Sequence, residues 1–170
     1  MGAHEVLGIL ENSSVTTTGV TASRESTDII NLAEVTSKIS VGQHAPFLCI
    51  RTAAAPSVGT AELSIELRCH EDDSFGAGSP TSTEDYARAW MIFAGPTGAE
   101  LHADVDSRLK TAGAWIYRAP LPFECNERYI SLYYNNSASG GRFLFDAWLS
   151  DGPPSDFRGS QVLFSNVGQP

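Results

Sequence analysis

Charge is scarce in this sequence, and positive charge is scarcest. Of 170 residues only 18% are charged, and eleven Lys and Arg stand against twenty Asp and Glu, a formal charge of −9. The basic residues are scattered singly, so no cationic stripe is hidden in the acidic total, and nucleic acid is not an expected partner. Long hydrophobic runs are missing too. None approaches the roughly 20 residues that a membrane helix needs, so no membrane association is expected. The opening stretch MGAHEVLGILENSS has neither a basic start nor a continuous apolar centre and does not read as a signal peptide. The sequons at Asn12 and Asn135 then carry little weight.

Cysteine is equally sparse. Cys49, Cys69 and Cys125 are odd in number and widely spaced, with no CxxC pair. That usage reads as three small core residues in a chain folded in a reducing compartment. His4, His44, His70 and His102 lie far apart, and none has a second ligand at metal-binding spacing. The nearest approach to a cupin metal site is His70-Glu71-Asp72-Asp73, which has one histidine where two are wanted. Asp104–Arg108 (DVDSR) begins like a calcium loop but puts Arg108 where the third oxygen ligand belongs. GxSxG, GxGxxG, HExxH and phosphate-binding loops are all missing. No catalytic residue, cofactor or metal ligand is therefore expected, and the chain does not read as an enzyme.

What is present is β-type sequence between turn signals. Ala61–His70 alternates cleanly, with Leu63, Ile65, Leu67 and Cys69 on one face and Glu62, Ser64, Glu66, Arg68 and His70 on the other, the mark of a half-buried antiparallel strand. Thr27–Leu32, Phe47–Ala53, Ala87–Gly95 and Ala114–Pro122 are further strand candidates. Ala99–Ala112 is the one helix-like stretch, with Leu101, Val105 and Leu109 four residues apart. Glu71–Asp85 is an acidic loop rich in Gly, Ser and Pro. Short strands between turns, with at most one short helix, predict an all-β antiparallel sandwich or jelly roll of about eight strands. The expected organisation is an N-terminal arm with a short strand (1–26), a sandwich domain (27–151) and a C-terminal tail (152–170). The stretch Ser13–Thr27 is too polar to be expected in a core.

Tyr129–Asp151 poses a problem. It reads as a hairpin in which Ile130, Leu132 and Tyr134 share one face with Phe143, Phe145, Ala147 and Leu149. The other face is also rich in apolar groups: Tyr129 and Tyr133 flank Ser131, and Leu144 and Trp148 flank Asp146. One face can fill the sandwich core, and the second needs a cover. Trp90, Trp115 and Trp148 all fall on expected strands, either as core and interface residues or as sugar-stacking platforms.

Three passages taken together carry a family likeness. Ser26–Thr52, Ala61–Pro80 and Leu109–Asp151 resemble, in order and spacing, the capsid cement or decoration proteins of tailed bacteriophages. The likeness lies in IINL leading through a polar stretch to the first long strand, in ELSIEL running into an acidic loop that ends at Phe75, and in AWIYRAPLP preceding RYISLYY. The resemblance spans most of residues 26–151 and implies a trimeric jelly-roll protein, without enzymatic activity. Such a protein binds the major capsid protein on the outer surface of a phage head and stabilises the shell. It would be made in the host cytoplasm and end in the virion. On that reading the spare apolar face packs against a neighbouring copy or the shell, and Tyr129, Tyr133, Leu144, Trp148, Leu163 and Phe164 are the expected interface residues. The arm and tail would reach across subunits. Two alternatives stand beside it: a carbohydrate-binding β-sandwich using Trp and Tyr as platforms, and a cupin-like metalloenzyme centred on His70.

Overall fold

The computed structural model describes residues 6–17, 19–36, 46–55, 63–71, 88–94, 108–109, 111–122, 128–136 and 142–152. Their elements are β1 (Val6–Asn12), α1 (Ser13–Thr16), β2 (Arg24–Glu25), β3 (Ile30–Asn31), α2 (Leu32–Thr36), β4 (Phe47–Ala54), β5 (Leu63–His70), β6 (Arg88–Ala94), β7 (Trp115–Pro120), β8 (Tyr129–Asn136) and β9 (Leu144–Ser150).

The strands form two sheets. The first runs β1-β9-β4-β7 and the second β2-β8-β5-β6, with β3 also paired to β8. All pairings are antiparallel. Because β2 and β3 meet β8 at Tyr134 and Ile130 in turn, they are two pieces of one interrupted strand. The pairs β1·β9, β2·β8, β4·β7 and β5·β6 are then nested, like a long antiparallel ribbon folded over itself. That nesting is the jelly roll, and the expected all-β sandwich is what the chain forms.

Alternation fills the core. Leu63, Ile65, Leu67 and Cys69 of β5, Ile130, Leu132 and Tyr134 of β8, and Phe145, Ala147 and Leu149 of β9 are all buried. Tyr134 of the second sheet stacks on Phe145 of the first, with centroids 5.6 Å apart and planes 8° from parallel. Phe143 extends the stack, its centroid 6.1 Å from that of Phe145.

That stack corrects the reading of Tyr129–Asp151 as a hairpin. β8 and β9 belong to different sheets and face each other across the core. Their inward residues do share one apolar environment, as alternation requires, but they meet face to face and not edge to edge. Sequence periodicity reports which way a side chain points, not which strand lies beside it.

Three smaller expectations also change. The stretch Ser13–Thr27 does contribute to the core: Val20 is fully buried and bridges to Phe143, and Ser13 and Ser26 are buried. Its polar groups are absorbed by backbone, Ser26 N donating to Leu132 O at 2.6 Å and Leu132 N to Ser26 Oγ at 3.1 Å. β1, expected in an arm, is an edge strand of the first sheet. It passes so close to β3 that a Cβ on Gly8 would come within 2.9 Å of Ile30 Cδ1.

The two named helices are single turns too short to show periodicity. α1 ends where Thr17 adopts a left-handed φ of 55°. α2 replaces the end of the strand expected over Thr27–Leu32 because Asn31 Oδ1 accepts a bond from Ala33 N at 3.1 Å, an N-terminal cap. Of the helix expected over Ala99–Ala112, Arg108 and Leu109 are helical, and Gly113 turns the chain at φ 80°. Residues 99–107 and 110 lie outside the described residues, as does the expected tail beyond Gly152.

Candidate interaction surfaces

Once the core faces are filled, the outer faces of the two sheets remain. On the first sheet the register lines up Ile9, Trp148, Cys49 and Arg118 across all four strands, with Asp146, Arg51 and Trp115 in the adjacent row. These are the alternate positions of β9 and β4, so they point away from the core. The Arg51 guanidinium lies 5.4 Å from the Trp148 ring centroid, and that of Arg118 lies 5.0 Å from Trp115. The two indoles meet at 5.6 Å and 52°.

Asp146 is buried beneath this layer with both oxygens engaged. Oδ2 accepts from Arg51 Nε and Nη2 at 3.2 and 3.1 Å, and Oδ1 accepts from Ser14 N at 2.9 Å. Cys49 is fully buried and in no disulfide. At the β1 edge Ile9 and Val6 stay exposed, at 44% and 51%.

The outer face of the second sheet is built on Arg68. Its guanidinium stacks 3.6 Å from the Tyr133 centroid, while Nη1 donates to Glu25 Oε1 at 2.8 Å. Nε and Nη2 both donate to Glu66 Oε2, at 3.2 and 3.1 Å. Ser131 Oγ donates to Glu25 Oε2 at 2.7 Å, and Arg128 lies 5.2 Å from the Tyr129 centroid. The protein's own guanidinium groups therefore cover the outward aromatics of both β8 and β9.

Burial pushes the Glu25 carboxyl above its ordinary value of 4.5, although Ser131 and Arg68 pull it the other way. Between 4.5 and the folded value the native state holds a proton that the unfolded chain has lost. Stability from this group therefore falls as pH rises through that window and is level above it. Glu25→Gln is expected to lack that fall, so urea midpoints of variant and parent should differ in slope from acid to neutral pH. Parallel slopes would remove Glu25 as the cause.

Between β1 and the β2–β3 segment a charged clasp joins the sheets. The Glu11 side chain is fully buried. Its Oε2 accepts from Arg24 Nη1 at 3.0 Å and Thr27 N at 3.2 Å, and its Oε1 accepts from Thr27 Oγ1 at 2.8 Å. Arg24 Nη2 and the Tyr134 hydroxyl are buried beside it with no partner among the described residues. Burial, then the Glu11 charge, hold the Tyr134 hydroxyl well above its ordinary value. The carboxylate of the clasp is closed to solvent while Arg24 is partly exposed, and the pair ties the sheets together.

The expected interface residues thus do not form one surface. Tyr129 and Tyr133 lie on the outer face of the second sheet, Leu144 and Trp148 on that of the first, and Leu163 and Phe164 lie outside the described residues. Trp115 joins Trp148, whereas Trp90 packs against the core. Sequence reasoning missed Arg51, Arg118 and Arg68 as parts of these layers. The available signal was an arginine at an outward position of an apolar strand, beside a cross-strand aromatic.

The cysteine reading is corrected as well. Cys69 is buried as expected but disulfide-bonded, to a partner outside the described residues, which is at odds with a reducing compartment. Among the described residues no three His, Cys, Asp or Glu side chains could hold a metal ion, and no helix is long and apolar enough to cross a membrane. Comparison with known proteins finds no matching family model and no matching curated protein.

Proposed function

We propose that the chain is a capsid decoration protein, a non-enzymatic homotrimer that binds the major capsid protein on the outside of a tailed-phage head and stabilises the shell. Three passages, Ser26–Thr52, Ala61–Pro80 and Leu109–Asp151, carry the family likeness, and the jelly roll accommodates it. The observation that carries a binding role is the outer face of the first sheet. There Trp148 and Trp115 lie under Arg51 and Arg118, beside the exposed Ile9 and Val6. Tryptophan and arginine are the side chains most enriched at the energetic centres of protein interfaces.

The same two indoles favour a second reading, a glycan-binding module. A sugar needs an open ring face, however, and here a guanidinium already sits over a face of each indole. That arrangement suits a protein surface better.

The test is sedimentation of emptied heads of the phage that carries the gene, mixed with purified protein. Saturable binding in multiples of three and greater resistance of the shell to heat are expected. Failure to co-sediment would overturn the proposal, and saturable binding to a glycan array in its place would install the second reading.

A further inference from the structure

We infer that the first sheet's outer face, not the second's, is the one that meets the shell, and that the shell surface it takes is acidic. This rests on the decoration reading. The two outer faces point in opposite directions across a core roughly 10 Å thick, so one flat partner can cover only one of them.

Their accessible charge has opposite sign. In the Arg51–Asp146 pair the arginine side chain is 44% exposed and the aspartate 6%, so solvent meets the cation. In the Arg68 pairs the arginine is 9% exposed and Glu25 and Glu66 are 24% and 23%, so solvent meets the carboxylates. Arg118 adds a second guanidinium to the first face. On the second face Arg128, beside Tyr129 just before β8, is an exposed cation that the two carboxylates outnumber. A chain of charge −9 is repelled on average by an acidic partner. Such a partner is approached most favourably with the Arg51–Arg118 face leading, so the charge distribution orients docking. The exposed Ile9 and Val6 border the same face and supply apolar area.

A second copy is the weaker occupant. Its carboxylate face could meet the arginine face, but contacts between opposite faces of a sandwich repeat along one direction and give an open stack, not a closed trimer.

The experiment compares Ile9→Glu and Arg118→Glu with Met91→Glu, whose side chain is exposed on β6 of the second sheet. Each is mixed with emptied heads at several salt concentrations, and each is weighed by light scattering. Both first-face variants are expected to bind heads at least about tenfold more weakly, with Met91→Glu like the parent and all masses unchanged. Parent binding should weaken with salt, and less steeply in Arg118→Glu. Loss of binding in Met91→Glu with Ile9→Glu unaffected would overturn the assignment while leaving the decoration reading intact. A fall in mass for Ile9→Glu would give the face to a subunit contact and also overturn it. Salt-independent binding would remove the acidic partner. No head binding by the parent would overturn both proposals.

Discussion

Glu11→Ala is expected to lower the unfolding free energy by about 3–5 kcal/mol, a large share of the roughly 5–15 kcal/mol that holds a typical domain together. The carboxylate is fully buried and accepts from Arg24 Nη1 and from both Thr27 donors. Its loss leaves the mostly buried Arg24 guanidinium without its carboxylate, held through Nη1 by the Glu25 carbonyl alone, and Nη2 is already without a partner among the described residues. The cost comes from the stranded cation and not from the pair as such. Replacing both members with apolar residues, Glu11→Leu with Arg24→Met, should therefore recover most of the loss. Urea unfolding of the three proteins decides it. A double variant as unstable as Glu11→Ala would show that the clasp acts through shape and not charge. Tyr134→Phe belongs to the same set: it removes a buried hydroxyl that lacks a partner among the described residues, and should leave stability unchanged or raise it.

The second large effect concerns the disulfide at Cys69. Breaking it should cost about 2–5 kcal/mol, because the cross-link limits the unfolded chain. Cys69 is fully buried, so a reductant acts when the fold opens and the loss develops with incubation. Thermal melting after long exposure to a phosphine reductant should show a lowered midpoint for the parent. Cys69→Ala should melt at the lowered midpoint and ignore the reductant. A parent whose midpoint does not move would mean that the bond contributes nothing to stability. The reduced Cys49 thiol, buried in the first sheet, serves as an internal reference for labelling.

The inward faces were legible in the sequence. Alternation in Ala61–His70 picked out Leu63, Ile65, Leu67 and Cys69, and the same rule picked out Ile130, Leu132 and Tyr134. Each of these is buried. Strand partnership was not legible, because period-two patterning is the same whether the next strand lies alongside or across the core. That is why β8 and β9 read as a hairpin. β1 read only as a short strand in an arm because a Gly at its third position and a Glu at its sixth break the alternation, and Glu11 points inward to a partner sixteen residues further on. The outer layers were half legible. Tyr133 and Trp148 were singled out as aromatics lacking a cover. Their covers, Arg68 and Arg51, come from strands remote in sequence and chosen by topology. Cys69 was misread because cysteine spacing alone does not reveal a bond between distant positions.

The nested ribbon also sets an order of events during synthesis. β1 hydrogen-bonds to β9, pairing Val6 with Ser150, so the first of the described strands to be made has its sheet partner in the last of them. At about 5–20 residues per second, a nascent chain holds that strand without its mate for on the order of ten seconds. The second sheet has the same delay at β2, whose neighbour is β8. Neither sheet can close one strand at a time from the N-terminus. Folding of this chain is a late, whole-molecule event, slow in the manner of proteins dominated by distant contacts, and a chain cut before β9 lacks the strand that joins β1 to β4.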